Sequence, residues 1–303
     1  MRSDCEICGG KKLLSLNERR EDVDIVACEN CGLVWNRIMR DEQGQVEYYK
    51  KQYRETGRIS QRYLISVLSR AASVLNFLGD DLKPGMRHLD VGCADGTLLA
   101  LTRAHGLDVT GLELDVNYSR FATEVRQLTV LPTTIEDTDL SPVSFDLVSF
   151  VHVLEHLFHP VCTLRQAREL LRDNGWLYVE VPNLCQPLPG PRRFFRHQHN
   201  FYFTANTLRS LVSKAGFVPV RIACSRRDVS LQVLAVKGDG AEISPSWRDD
   251  AKKIYAHVNR DRKRYHLLLR LLRRRIQQER LRHWSLDRYG DMLPEVREFA
   301  DEK

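Results

Sequence analysis

Residues 86–236 switch repeatedly between short β-rich runs and stretches of helical spacing. The strand candidates are Arg87–Val91, 109–113, Phe145–Val151, 176–181 and 231–236, and the helices between them include 97–105 and 163–171. Such alternation implies α/β architecture. Parallel neighbours need a crossover long enough to hold a helix, so a doubly wound, mostly parallel sheet is expected. Upstream, Tyr63, Leu64, Val67, Leu68, Ala71, Val74 and Leu75 recur at helix spacing, which predicts a helical stretch over 44–80. Lys83-Pro84-Gly85 ends it. With 303 residues, 43% of them hydrophobic, the chain can hold one sizeable domain and small additions. The boundaries read as 1–40, a helical linker or lid at 41–84, the main domain at 85–237 and an extension at 238–303.

The small N-terminal addition is written in cysteines. Cys5-Glu-Ile-Cys8-Gly9 is followed, nineteen residues after Cys8, by Cys28-Glu-Asn-Cys31-Gly32. Each glycine follows its second cysteine, where a tight turn needs a residue free to take positive φ. Two such turns present four thiolates tetrahedrally, the donor set of a closed structural zinc site. A module of this size builds little core alone, so metal binding would supply folding energy. Cys93, Cys162, Cys185 and Cys224 are scattered and read as reduced thiols. No stretch approaches the ~18 apolar residues of a membrane span, and no apolar signal-like region follows Met1. A cytoplasmic setting is the expectation.

At His88-Leu-Asp-Val-Gly-Cys-Ala-Asp-Gly-Thr97 a strand, a glycine turn and a helix start meet. Gly92 and Gly96 are spaced Gly-x-x-x-Gly, so the phosphate-cradling G-x-G-x-x-G pattern is absent. Asp90 and Asp95 flank the turn, where they would repel a phosphate and attract an ammonium group. A cofactor with a cationic amino-acid portion and no phosphate fits, and S-adenosylmethionine is the obvious one. Glu113 ends the next strand candidate, placed to accept ribose hydroxyls. Leu114 could pack on an adenine, and Ile135-Glu136 falls in the loop where the adenine edge would be held.

The successive segments "HLDVGCADGTLLALTRAHGLDVTGLELD", "FDLVSFVHVLEHL" and "LLRDNGWLYVEVPN" resemble the ordered motifs of class I S-adenosylmethionine-dependent methyltransferases. The resemblance covers roughly 85–237 and implies a Rossmann-like fold. It also implies that Asp90, Gly92, Cys93, Gly96, Glu113 and Ile135 line the cofactor. Ala94 stands where a glycine is often seen, and Thr134 where many members carry aspartate. A four-cysteine zinc module ahead of such a domain is similar to bacterial enzymes of glycan and secondary-metabolite pathways, nucleotide-sugar C-methyltransferases among them. Those usually carry a further large C-terminal domain, whereas only 66 residues follow residue 237 here.

Three histidines and a glutamate crowd the end of the strand candidate Phe145–Val151. His152, Glu155 and His156 share one face if the chain turns helically after it. His159 precedes Pro160 and reads as a helix cap. A later cluster, Arg192-Arg-Phe-Phe-Arg-His-Gln-His-Asn-Phe-Tyr-Phe203, could bring His197 or His199 opposite. Three roles are open: a general base oriented by Glu155, a divalent metal site that acidifies a hydroxyl, or a hydrogen-bonded turn. The set is similar to the Glu-x-x-Glu-His plus distal His of metal-dependent small-RNA 2′-O-methyltransferases and to ubiquinone-pathway O-methyltransferases, with His152 in place of the first glutamate. Phe194, Phe195, Phe201, Tyr202 and Phe203 could stack on a sugar or base, or pack as a lid. Arg192, Arg193 and Arg196 could hold an acidic group.

Residues 252–288 carry thirteen Lys/Arg against three Asp/Glu, which exceeds the whole chain's net charge of +6. The basicity therefore belongs to the extension. Residues 262–284 alternate Leu/Ile with Arg, which suits a helix docking on a partner subunit in an oligomer, an anionic membrane or nucleic acid. Two function classes follow. One is an O-methyltransferase acting on a sugar, glycan or related small molecule. The other is a nucleic-acid-binding protein or RNA methyltransferase that uses the zinc module and basic extension together.

Overall fold

The structure, a computed structural model, describes residues 2–39, 42–51, 60–185, 194–224, 230–238 and 248–263, with 279–280, 282–285, 287–289 and 292–293. Two compact units divide the chain: Met1–Gln45 with Phe150–Tyr265, and Val46–Ser149 with His266–Lys303. Among the described residues eleven strands form two sheets, a four-stranded one in the order β1-β2-β3-β9 and a seven-stranded one in the order β10-β11-β8-β7-β4-β5-β6.

The expected α/β class holds, with a mostly parallel central sheet. β4 (Arg87–Val91) pairs parallel with β5 (Asp108–Leu112), and β5 with β6 (Thr129–Leu131). The helices Thr97–Ala104 and Val116–Glu124 lie between them in sequence. Asp115 caps the second by accepting from the amides of Asn117 and Tyr118, which satisfies two of the donors at its start. The long helical stretch expected over 44–80 is seen as Glu42–Lys51 and Gln61–Leu78, with 52–59 outside the described residues. Ser60 caps the latter helix, whose buried face carries Leu64, Leu68, Ala71, Ala72 and Leu75.

β7 (Phe145–Val151) carries the chain from one unit into the other. In the first unit, β8 (Leu171–Pro182), β11 (Ser230–Lys237) and β10 (Phe217–Cys224) pair antiparallel. The cysteine segment forms β1 (Leu13–Arg20), β2 (Val23–Cys28) and β3 (Val34–Asn36), all antiparallel. Their fourth strand comes from far along the chain: β9 (Phe201–Tyr202) pairs Val34 with Tyr202 and Trp35 with Phe201. The helix Ala251–Lys263 packs Ala251, Ile254 and Val258 into the same core as Leu16, Val23 and Ile25. Most of the basic stretch 262–284 lies outside the described residues, as do Arg192 and Arg193.

One expectation is corrected here. Phe194, Phe195, Phe201, Tyr202 and Phe203 are all buried, and none offers a free face to a sugar or base. Phe195 meets Tyr202 edge-on at 4.8 Å, and the Tyr202 hydroxyl donates to Arg196 O and accepts from Arg196 N. Burial of ring area between module and loop outweighs exposure, so these aromatics are core.

Candidate functional site

In the second unit, the turn after β4 is built for close approach. Gly92, Ala94 and Gly96 all have left-handed φ, of 70°, 48° and 75°. A Cβ on Gly96 would press on Leu128 Cδ1 at 2.5 Å and Ala122 Cβ at 3.1 Å, and the φ of 75° would strain any other residue there. Ala94 tolerates its conformation because its N–H donates to Glu113 Oε2 at 2.8 Å. The Glu113 Oε1 accepts from Asp115 N at 2.7 Å, so both oxygens are pre-set by backbone amides and each keeps further acceptor capacity.

Two acidic groups, Asp90 and Glu113, stand close together here. Asp90 is buried, and Ser149 Oγ donates to it at 2.6 Å. Burial pushes the Asp90 carboxyl up to about 7; the Ser149 hydrogen bond opposes this, while the charges of Glu113 and Asp95 add to it. Glu113 is also pushed up to about 7 by burial, against the pull of the Asp115 and Ala94 amides. A cationic ligand group is what such a pair of acids favours. Behind Asp90 runs a buried relay. His88 Nε2 bonds Ser149 Oγ at 2.8 Å and its Nδ1 bonds Thr102 Oγ1 at 3.0 Å. Because Ser149 gives its proton to Asp90, Nε2 must be the protonated nitrogen.

Asp95 departs from its expected role. Arg126 reaches its Oδ2 at 3.1 Å with both side chains 2% exposed, and Thr97 Oγ1 donates to the same oxygen. Its charge is already met inside the protein and is not offered to an ammonium group. Cys93 is buried with its thiol raised well above the ordinary range, first by burial. Leu114 is half-buried, Ile135 buried and Glu136 exposed. Thr134 bonds Asp137 and closes its own turn.

In the first unit, the histidines after β7 do converge. His152 takes φ 56°, a left-handed conformation held by its N–H to Glu180 O at 2.8 Å. A 3-10 turn, Leu154–His156, follows. The His152 ring lies between two buried carboxylates, with Nδ1 3.3 Å from Glu155 Oε1 and Nε2 3.2 Å from Glu180 Oε1. Both nitrogens of His152 are thus engaged. His156 differs: Nδ1 donates to Gln198 O at 2.8 Å, and Nε2 lies 3.8 Å from Glu155 Oε1.

His199 packs edge-on against His156 with ring centroids 4.8 Å apart, and its buried Nδ1 has no hydrogen-bond partner among the described residues. His197 turns away and pairs with Asp22 at 3.3 Å. Glu155, His156 and His199 each offer a ligand atom within 4.8 Å of the others. Neither Glu155 oxygen accepts a well-formed hydrogen bond among the described residues, although its carboxylate is 1% exposed. Burial would raise that carboxyl, but the imidazoles of His156, His152 and His199 hold it down to about 2. His199 is pushed down to about 3, by burial first and then by repulsion from His156, so its ring is neutral. A buried carboxylate beside two imidazoles is a donor set that suits a divalent cation.

Glu180 and Ser230 were not singled out from the sequence. Ser230 Oγ lies 3.3 Å from His152 Nε2, and Tyr178 and Gln232 bond Glu180 Oε2. The signal was present as a lone carboxylate within the apolar run Leu-Tyr-Val-Glu-Val of β8. His159 stands at the start of the helix Pro160–Leu170, but its side chain makes no capping bond. Glu6 of the cysteine segment accepts from Val161 N instead, at 3.2 Å.

The four N-terminal cysteines also converge, with Sγ atoms all within 4.8 Å of one another. Cys5 and Cys31 are 3.4 Å apart, Cys8 and Cys28 3.5 Å, near the about 3.8 Å that tetrahedral zinc–thiolate bonds of ~2.3 Å would set. The two turns match: Gly9 N bonds Cys5 O and Gly32 N bonds Cys28 O, with φ of 67° and 77° at the glycines. Cys5 is pushed up to about 12, chiefly by Cys28, and Cys28 is drawn down to about 2 by Cys31 and Cys5. Crowded thiols resist losing their protons together unless a cation balances them. The residues fit zinc.

A glycine turn after the first parallel strand, with a carboxylate ending the second, defines a doubly wound α/β protein with a cation-seeking ligand end. A family model described as a methyltransferase domain matches residues 60–222, and the chain belongs to this family. Ubiquinone biosynthesis O-methyltransferase of Cereibacter sphaeroides is 30% identical over 152 residues, 45% of this chain and 62% of that one. The enzyme of the same name from Photobacterium profundum is 29% identical over 105 residues, 33% of this chain and 45% of its own. The chain thus spans less than two thirds of these relatives' lengths. Among solved structures, magnesium protoporphyrin IX methyltransferase from Synechocystis with bound SAH shares the fold, with a TM-score of 0.51 and 18% identity. That match covers 65% of this chain and 100% of that one.

Proposed function

We propose that this chain is an S-adenosylmethionine-dependent methyltransferase that methylates a hydroxyl oxygen on a small molecule such as a sugar, a glycan unit or a phenol. The carrying observation is His156: Gln198 O fixes its Nδ1 at 2.8 Å and so aims Nε2 toward the buried Glu155 carboxylate. The relatives named as O-methyltransferases support the same reaction type.

S-adenosylmethionine, when bound, supplies a methyl group on a positively charged sulfur. Asp90 and Glu113 would hold its cationic and ribose portions, with Gly92, Cys93 and Gly96 shaping the turn and Leu114, Ile135 and Glu136 bordering the adenine. His156 Nε2 would take the acceptor's hydroxyl proton as the oxygen–carbon bond forms, and Glu155 would stabilise the resulting imidazolium. His152, engaged at both nitrogens, would position Glu155 instead of moving a proton itself. A divalent cation at Glu155, His156 and His199 is a second reading, favoured by Glu155 Oε2 and His199 Nδ1, which have no hydrogen-bond partner among the described residues. It would acidify the same hydroxyl. Cys5, Cys8, Cys28 and Cys31 would hold structural zinc. Transfer of radiolabelled methyl groups to a panel of polyhydroxylated and phenolic acceptors, with and without Mn²⁺, tests the reading; no transfer to any hydroxyl would defeat it.

A further inference from the structure

The cysteine module and the histidine cluster belong to one compact unit, and bonds from both cysteine turns reach the loop that carries the cluster. From the second turn, β3 leads from Cys31 to Asn36, whose N–H donates to Asn200 O at 2.8 Å. Asn200 is buried, follows His199 directly, and bonds the histidine loop three times. Its N–H donates to Glu155 O at 2.7 Å, and its Nδ2 to His156 O at 2.8 Å and Leu157 O at 3.1 Å. The first turn holds the far side of the same loop. Glu6, between Cys5 and Cys8, accepts from Val161 N at 3.2 Å, and Arg2, which also pairs with Glu6, donates to Phe158 O at 2.8 Å. Lys214 Nζ anchors the Glu6 carbonyl at 2.7 Å.

We infer that the four-cysteine module is a brace for the reactive loop: closing its two turns around a metal sets Glu155, His156 and His199 in place through Asn200 and Glu6. This rests on the zinc and methyl-transfer readings above. The physical reason is local. A 3-10 turn of three residues and a two-residue strand have little cohesion of their own, so their geometry must come from what they are bonded to. Here the bonds from Asn36, Glu6, Arg2 and Asn200 tie them to the cysteine module, beside the one from His156 Nδ1 to Gln198 O. Asn200 and Glu6 are positioning residues, and partners of this kind typically cost 10–100-fold when removed.

The test uses full-length, zinc-loaded protein. Asn200→Ala and Glu6→Ala should bind S-adenosylhomocysteine within about twofold of the parent, while kcat falls roughly 10–100-fold. Glu6→Gln keeps an acceptor for Val161 N and should restore most of kcat. Hydrogen exchange read over 152–161 and 196–203 should quicken in Cys28→Ser, with exchange over 87–112 unchanged. Wild-type kcat in both Asn200→Ala and Glu6→Ala, or unaltered exchange in the two segments after Cys28→Ser, would overturn the brace. If the parent transfers no methyl group, the functional reading fails, and the exchange comparison still decides the brace.

Discussion

Arg126 and Asp95 form an ion pair at 3.1 Å in which both side chains are almost fully withdrawn from water. Thr97 Oγ1 accepts from Arg126 Nη1 and donates to Asp95 Oδ2, closing a three-membered network beneath the glycine turn. The Tyr63 hydroxyl reaches the other Asp95 oxygen at 3.4 Å. Removing one member leaves a buried, uncompensated charge. Arg126→Met is therefore expected to lower stability by about 3–5 kcal/mol, read by urea unfolding. Adding Asp95→Leu should recover more than half of that loss; a double variant no better than the single one would show that packing, not the charge, carries the effect.

His88 gives a stability that depends on pH. Burial pushes its imidazole from the ordinary 6.5 down to about 3, so it stays neutral while bonded to Thr102 and Ser149. In the unfolded chain it takes up a proton nearer 6.5. Its contribution is thus fully present above pH 6.5 and is lost as pH falls from there toward 3. Between pH 7 and pH 4 the parent should lose on the order of 3 kcal/mol more than His88→Gln. Parallel slopes for the two proteins in a pH series of chemical denaturations would refute the assignment.

The cysteine cluster predicts metal content. Purified protein should carry one zinc per chain by elemental analysis, and Cys5→Ser or Cys31→Ser should lower that occupancy sharply. On the zinc reading the module folds with its metal, so chelation should also remove the near-ultraviolet signal of Trp35, which is buried on β3. Protein that holds no zinc and keeps that signal in chelator would contradict the site.

The clamped ring of His152 separates it from His156. With Glu155 and Glu180 on its two nitrogens, His152 should matter through geometry. His152→Gln, which keeps polar reach, is expected to retain roughly a tenth of turnover, whereas His156→Gln should fall by about 10²–10⁴-fold, the usual worth of a proton acceptor. Equal losses in steady-state kcat would erase the distinction.

Much of the fold was legible because its signals are local and repeated. β4 and β7 match their expected ranges: β4 is held between Lys83-Pro84-Gly85 and the glycine turn, and β7 is a largely apolar run. The two cysteine turns were readable for the same reason. What could not be read were relationships between distant segments. β9 is two residues long and has no pattern of its own; it exists because Trp35 and Val34 offer it a partner. The Arg126–Asp95 pair joins residues whose spacing carries no periodicity, so Asp95 looked available to a ligand. Likewise Glu6 capping the helix at Val161 spans 155 residues of sequence. In the histidine cluster the residue types were evident. Which of His197 and His199 faces His156 depended on the closed loop that Tyr202 makes with Arg196.

The most direct measurement is titration calorimetry of S-adenosylhomocysteine into the parent, Glu113→Ala and His156→Ala, paired with methyl-transfer rates for each. The amides of Ala94 and Asp115 fix the Glu113 carboxylate, so under the proposed cofactor reading its loss should weaken binding by about 10–100-fold, the worth of charged hydrogen bonds. His156→Ala should bind as the parent does and transfer methyl groups poorly. Equal loss of affinity in both variants, or no binding by the parent, would contradict the division between a cofactor-holding end and a proton-handling cluster.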